Sequence, residues 1–228
     1  TATLNPAILN SGTVDNCGNT LTYSLVRNGL PYADSVFNCG QVGINPVTLR
    51  VTDVSGNSNT ATVNVTIADT IAPYPVLFAT PQNVYLNSAG KYTAAALDIV
   101  DTVIDNCNQF NQLVMSSNPS VITCDSVGNN RSVFLTMNDS WGNDSTVRVY
   151  LNVLDTITPT VNLKDITVRL GGGASSDTTL TGIMFNNGSF DNCNNLTYSV
   201  TPNTFNCNNI GENTVTVTVS DGFHTITR

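Results

Sequence analysis

Apolar and polar residues alternate with a period of two along three stretches of the chain. Val47, Leu49 and Val51 interleave with Thr48, Arg50 and Thr52, and Ala61, Val63, Val65 and Ile67 with Thr62, Asn64 and Thr66. The third stretch sets Val215, Val217 and Val219 against Thr214, Thr216 and Thr218. Period two puts one set on a buried face and the other in water, which predicts half-buried antiparallel strands. Between the first two runs lies Asp53-Val-Ser-Gly-Asn, matched by Asp139-Ser-Trp-Gly-Asn; both read as hairpin turns. Composition agrees: Asn and Thr number 32 each among 228 residues, and fifteen of the sixteen acids are Asp, Glu212 being the exception. Thr favours strands through its branched Cβ, and Asn and Asp favour turns over helix. The fold class is all-β.

The same landmarks recur at a fixed interval. Asp-Asn-Cys ends at Cys17, Cys107 and Cys193; a second cysteine follows at Cys39, Cys124 and Cys207, and a glycine four residues on at Gly43, Gly128 and Gly211. A strand-like run then ends at Asp53, Asp139 and Asp221, and Asp69-Thr-Ile-Ala-Pro returns as Asp155-Thr-Ile-Thr-Pro. The chain is therefore an array of repeats of about 85 residues. We place repeat 1 at 1–69, repeat 2 at 70–155 and repeat 3 at 156–228. In this frame the first repeat lacks its first strand and the third most of its last, as in an excerpt from a longer array. Six or seven short strands per repeat predict tandem immunoglobulin-like β-sandwiches.

Two cysteines per repeat at matching positions predict one disulfide within each repeat: Cys17–Cys39, Cys107–Cys124 and Cys193–Cys207, with loops of 22, 17 and 14 residues. Closing such loops stabilises a small domain by roughly 3 kcal/mol and implies an oxidising compartment. Zinc is the competing reading, but the short Cys-x₂₋₄-Cys knuckle is missing and His224 is the single histidine.

The recurrent aspartates carry the second candidate chemistry. In a seven-stranded sandwich the chain enters at one end and leaves at the other, and the linker Asp, the Asp-Asn-Cys loop and the hairpin turn meet at one junction. Asp69, Asp105 and Asp139 are expected together with Asp101 nearby, and Asp155, Asp191 and Asp221 at the next junction. Carboxylates gathered without Lys or Arg repel one another unless a cation sits among them, and all-oxygen ligation suits calcium. The competing reading is that each Asp caps its own turn.

Other chemistry is thin. Eight basic residues and a net charge of −8 leave no stripe for nucleic acid and no basic amphipathic stretch for an anionic membrane. No apolar run reaches the roughly 18 to 20 residues of a spanning helix. Catalysis needs a proton carrier or a nucleophile with its base, and His224 reads as an exposed turn residue, so the chain is expected to be non-enzymatic. Gly171-Gly-Gly is expected to turn a hairpin after a strand at 166–170. Trp141, at a hairpin tip where the other repeats carry Ser55 and Phe223, is expected to pack across a repeat junction, with ligand stacking as the alternative.

Several motifs together carry a family resemblance. They are Asp-Asn-Cys, Leu-Thr-Tyr-Ser at 21–24 and 196–199, Phe-Asn-Cys at 37–39 and 205–207, Val-Thr-Asp-Val-Ser-Gly-Asn at 51–57, and Asp-Thr-Ile-Ala-Pro. The set resembles the hyalin-repeat type of immunoglobulin-like module. More narrowly, it is similar to the tandem repeats of very large surface adhesins of gliding Bacteroidota, exported by type IX secretion. Repeat 2 departs, with Val121-Ile-Thr-Cys where the others have Phe-Asn-Cys. The resemblance implies an extracellular, cell-surface protein whose stapled repeats form a stalk or filament for attachment or gliding. Its partners would be neighbouring repeats, other copies of the chain, and a surface glycan or substratum. The alternatives are repeats that bind a glycan or protein through their loops, and accessory domains of a secreted hydrolase. That phylum's O-glycosylation signal resembles Asp followed by Ser or Thr and then an aliphatic residue or Thr. It occurs at Ser35, Thr70, Thr102, Ser126, Ser145, Thr156 and Thr178, with chance matches as the alternative.

Overall fold

A computed structural model describes residues 1–18, 20–27, 30–32, 35–171 and 177–228. In repeat 1 the strands are β1 (Ala2–Leu4), β2 (Thr22–Arg27), β3 (Leu30–Tyr32), β4 (Ser35–Phe37), β5 (Gly43–Thr52) and β6 (Ser58–Ile67). β1 and β4 form one antiparallel pair, and the others a sheet in the order β3-β2-β5-β6. The two layers face each other through Leu4 and Phe37 on one side and Leu25 and Leu49 on the other, with Val47, Val51, Val65 and Ile67 packed against them. The alternation read from the sequence is therefore the inward face of β5 and β6.

The β2-β5-β6 part of that sheet has counterparts further along the chain, with different flanking strands. Strands Val114–Asn118, Gly128–Asn138, Asp144–Leu154 and Gln82–Tyr85 lie side by side in that order. Leu135, Leu151 and Val153 of this sheet are fully buried. The last two of its strands run parallel, Leu151 opposite Gln82 through Leu154 opposite Tyr85. In repeat 3, strands Thr197–Thr201, Thr216–Ser220 and Thr225–Thr227 pair antiparallel over a core of Leu180, Phe185, Val200, Val217 and Val219. Residues 166–170 are not a strand. Their counterpart in repeat 2 gains its partner from residues 151–154, and Thr225–Thr227 does not run alongside 166–170. Gly172 and Gly173 of the expected turn lie outside the described residues.

The chain divides into two compact units. One comprises Thr1–Tyr74, Val103–Val114 and Met137–Ser145; the other comprises Pro75–Thr102, Met115–Thr136 and Thr146–Arg228. Each contains one disulfide and one aspartate set.

The disulfides correct the sequence reading. Cys39 is bonded to Cys107 and Cys124 to Cys193, across 68 and 69 residues, while Cys17 and Cys207 are free and exposed. None of the pairs Cys17–Cys39, Cys107–Cys124 and Cys193–Cys207 forms. The register of repeat 1 gives the reason. Thr22, five residues after Cys17, sits opposite Thr52 at the end of β5, whereas Gly43, four residues after Cys39, begins it. At about 3.3 Å per residue the two ends of ten-residue β5 are some 30 Å apart. A disulfide tolerates a Cα separation of only about 4.4–6.8 Å. The first cysteine of a repeat thus lies at its head and the second at its tail, where Gly43 pairs with Ile67 and the chain leaves for the next repeat.

Candidate functional sites at the repeat junctions

A linker aspartate, an Asp-Asn-Cys loop and a hairpin turn build the first set, and a linker aspartate and an Asp-Asn-Cys loop the second. In the first unit Asp69, Asp105 and Asp139 each place one carboxylate oxygen within 4.8 Å of the others. The Asp-Asn-Cys loop folds on Asp105, whose Oδ1 accepts from the backbone N–H of Cys107 at 2.9 Å and of Asn108 at 2.6 Å. Asn106 donates from Nδ2 to Asp69 Oδ1 at 2.9 Å, tying the loop to the linker. The hairpin turn folds on Asp139, whose Oδ1 accepts from the N–H groups of Trp141 and Asn143 and whose Oδ2 accepts from Asn143 Nδ2. Burial alone would raise the pKa of Asp139, yet these bonds outweigh it and hold the carboxyl below its usual value.

The capping reading accounts for only part of each carboxylate. One oxygen of each linker and Asp-Asn-Cys aspartate caps a turn. The other, Oδ2 in Asp69 and Asp105, is buried with no hydrogen-bond partner, as is Oδ1 of Asn108, which is 9% exposed. An unpaired buried acceptor costs about 1–3 kcal/mol, and a charged one more. With Asp139 close by, Asp69 and Asp105 make a group of acidic side chains that could hold a metal ion. Among the described residues the one ion pair is His224 with Asp221.

The second unit differs in two respects: a different asparagine of the loop carries the unpaired amide oxygen, and the hairpin aspartate is absent from the set. Asp155 Oδ2, Asp191 Oδ1 and Asn192 Oδ1 are the buried oxygens without a partner. Asn192 donates from Nδ2 to Asp155 Oδ1 at 3.1 Å and to the carbonyl of Asn87. Cys193 Sγ lies within the same 4.8 Å group, but its bond to Cys124 removes it as a ligand. Asp221 is not in this set. Its turn, Asp-Gly-Phe-His, is one residue shorter than the Asp53 and Asp139 turns, and its carboxylate is taken by the N–H groups of Phe223 and His224 and by His224 Nδ1 at 3.1 Å. Asp101 is exposed and belongs to neither set.

The disulfides lie beside these sets, since Cys107 and Cys193 follow Asp105 and Asp191 by two residues. Gly90 marks how tightly the second junction is packed. Its φ is +67°, and a Cβ there would stand 2.6 Å from the Asn192 carbonyl oxygen and 2.7 Å from Cys124 Sγ.

His224 is half-buried rather than an exposed turn residue, because Asp221 engages its ring. Trp141 is 48% exposed, and Phe223 at the matching tip is 59% exposed. Of the O-glycosylation candidates, Thr70 and Thr156 are exposed, and Thr102, Ser126, Ser145 and Thr178 are half-buried. The Ser145 hydroxyl donates to the Pro73 carbonyl and is thereby occupied. The side chain of Ser35 lies outside the described residues. Asn108 and Asn192 escaped the sequence reading, although the first follows Asp-Asn-Cys directly and the second lies within it.

No protein-family model and no curated protein matches the chain. Solved structures that are similar in part include extracellular cadherin domains 1–4 of protocadherin gamma B7, at 14% identity and a TM-score of 0.31, over 92% of this chain and 67% of that one. The human desmocollin-1 ectodomain follows at 11% and 0.27, over 91% and 50%. An endo-fucoidan hydrolase of glycoside hydrolase family 107 stands at 16% and 0.27, over 95% and 37%. The chain spans 64% of the first such structure, another protocadherin, and less than half of the hydrolase. At these values the likeness carries no argument about ligand or activity.

Proposed function

We propose that the chain is a non-enzymatic segment of an extended cell-surface stalk or filament, in the manner of the hyalin-repeat adhesins it resembles, and that calcium rigidifies its junctions. The observation that carries this reading is that disulfide and aspartate set coincide at the same place, the step from one repeat to the next. A protein whose task is to hold a shape over distance needs reinforcement there, where a single linker strand would otherwise bend.

Asp69, Asp105, Asp139 and the Asn108 amide oxygen would hold the ion at the first junction, and Asp155, Asp191 and the Asn192 amide oxygen at the second. Calcium fits this donor set better than magnesium, because it accepts six to eight oxygens in flexible geometry and gives up its water more readily. Once bound, it would satisfy the buried oxygens that nothing else pairs. The exposed rings of Trp141 and Phe223 support a second reading, direct contact of hairpin tips with a glycan.

Thermal unfolding without reductant, in calcium against chelator, tests the calcium reading. An ion at a hundred times its Kd adds about 2.7 kcal/mol per site. For a chain of this size that raises Tm by several degrees. Asp105→Asn with Asp191→Asn should abolish the rise. Equal melting of the unsubstituted chain in both buffers would end the calcium reading.

A further inference from the structure

The outward face of the four-stranded sheet in repeat 2 carries side chains unlike those at the same positions of repeat 1. Along Gly128–Asn138 and Asp144–Leu154 every second residue, from Val133 to Met137 and from Val149 to Val153, is buried. The alternate positions face out: Phe134 and Thr136 on the first strand, and Thr146, Arg148 and Tyr150 on the second. Thr136 and Thr146 are hydrogen-bonded through their Oγ1 atoms at 2.9 Å, and the Arg148 guanidinium stands over the Phe134 ring, 5.1 Å from its centroid. Counted from the turns at Asp53 and Asp139, repeat 1 has Thr48 opposite Thr62 where repeat 2 has Phe134 and Arg148, and Asn64 where repeat 2 has Tyr150.

Arg148 is held by an aromatic ring and by nothing of opposite charge. Among the described residues no carboxylate or hydrogen-bond acceptor engages its guanidinium, and no partner bonds the hydroxyl of Tyr150, which is 45% exposed. The one acid in the four strands, Asp144, is four residues from Arg148, about 13 Å along the strand. The other arginine of the sheet, Arg131, is occupied by the carbonyls of Ser126 and Val127. Two residues beyond Tyr150, Asn152 donates from Nδ2 to Asn83 Oδ1 at 3.0 Å, which leaves the amide N–H groups of exposed Asn83 to donate elsewhere. A recess of about 130 Å³, lined by Leu77, Phe78 and Pro81, runs alongside Arg148 and Tyr150.

An open phenol ring, amide donors and one fixed cation complement a sugar chain that carries a carboxylate. The C–H face of a pyranose stacks on an aromatic ring, its hydroxyls bond amides and the phenol, and a carboxylate takes the guanidinium fork in two parallel hydrogen bonds. A single cation on a chain of net charge −8 suits a polymer charged by uronic acids, since a densely sulfated one would be repelled. A peptide that adds to a sheet uses free backbone groups at an edge, whereas here the backbone groups between the two strands are paired within the sheet.

We infer that this face binds a polysaccharide containing uronic acid, with Tyr150 as the stacking ring and Arg148 as the partner of the carboxylate. All the residues concerned lie in one compact unit, and the inference is independent of any ion at the junctions.

Affinity electrophoresis of the intact, oxidised chain in chelator, through gels containing hyaluronan, alginate or polygalacturonate, tests it. At least one of these polymers should retard the chain, and neutral dextran and carboxyl-reduced hyaluronan should not. Arg148→Thr and Tyr150→Asn install the residues that repeat 1 carries at these positions; each should weaken binding at least tenfold with Tm unchanged. Trp141→Ala, at the hairpin tip, should bind like the unsubstituted chain. Retardation by none of the uronate polymers, or equal retardation by carboxyl-reduced hyaluronan, would overturn the inference. So would undiminished binding by the Arg148 and Tyr150 variants, or tighter binding of poly-glutamate than of any polysaccharide, which would make the face a docking surface for an acidic protein.

Discussion

At the scale of single residues, the junctions depend on groups with no freedom to change. Gly90 combines a positive φ with backbone and sulfur where a Cβ would stand. Gly90→Ala should therefore cost about 2–3 kcal/mol, a sum of left-handed strain and displacement of the Asn192 carbonyl. Urea unfolding of the oxidised protein measures it, and a loss under 0.5 kcal/mol would mean that the loop moves aside freely. Asp221 gives a pH dependence of known sign. Burial acts to raise its pKa, but the N–H groups of His224 and Phe223, with the His224 ring, lower it overall. A carboxyl lowered in the folded state contributes stability above the ordinary value near 3.9 and loses it as the pH falls through the folded value. Tm should thus drop below about pH 4, and the drop should be shallower in Asp221→Asn.

At the scale of elements, the strands were legible because a period of two is a local property: Leu49, Val217 and Val219 are buried where the alternation places them. The convergence of Asp69, Asp105 and Asp139 was legible too, since strand parity alone sends those loops to one end. Asp221 was not, because one residue fewer in its turn lets His224 claim the carboxylate, and chain spacing carries no sign of that competition. The cysteine pairing was not legible for a related reason. Twenty-two residues between Cys17 and Cys39 look like a short loop, yet three strands, β2 to β4, lie between them. Asn108 and Asn192 were hidden by abundance, being two among 32 asparagines that mostly serve turns. Asn108→Ala should leave the apo protein folded but reduce its calcium-dependent gain in Tm, whereas Asn111→Ala, a change outside the set, should not.

At the scale of the molecule, the staggered bonds make a chain in which repeats are fastened to each other and not to themselves. In the chain-entropy description each closed loop stabilises by about 4 kcal/mol. The mechanical consequence is larger. The bonds enclose 68 and 69 residues, so single-molecule pulling under oxidising conditions should fall short of full extension by about 480 Å, recovered on reduction. Bonds within repeats would withhold about 190 Å. The most direct measurement is cleavage of the oxidised, alkylated monomer before aspartate, with mass analysis before reduction. The structure predicts one species joining fragments 34–52, 105–124 and 191–220, with Cys17 and Cys207 alkylated. Fragment 15–33 bonded to 34–52, with 105–124 closed on itself, would contradict it.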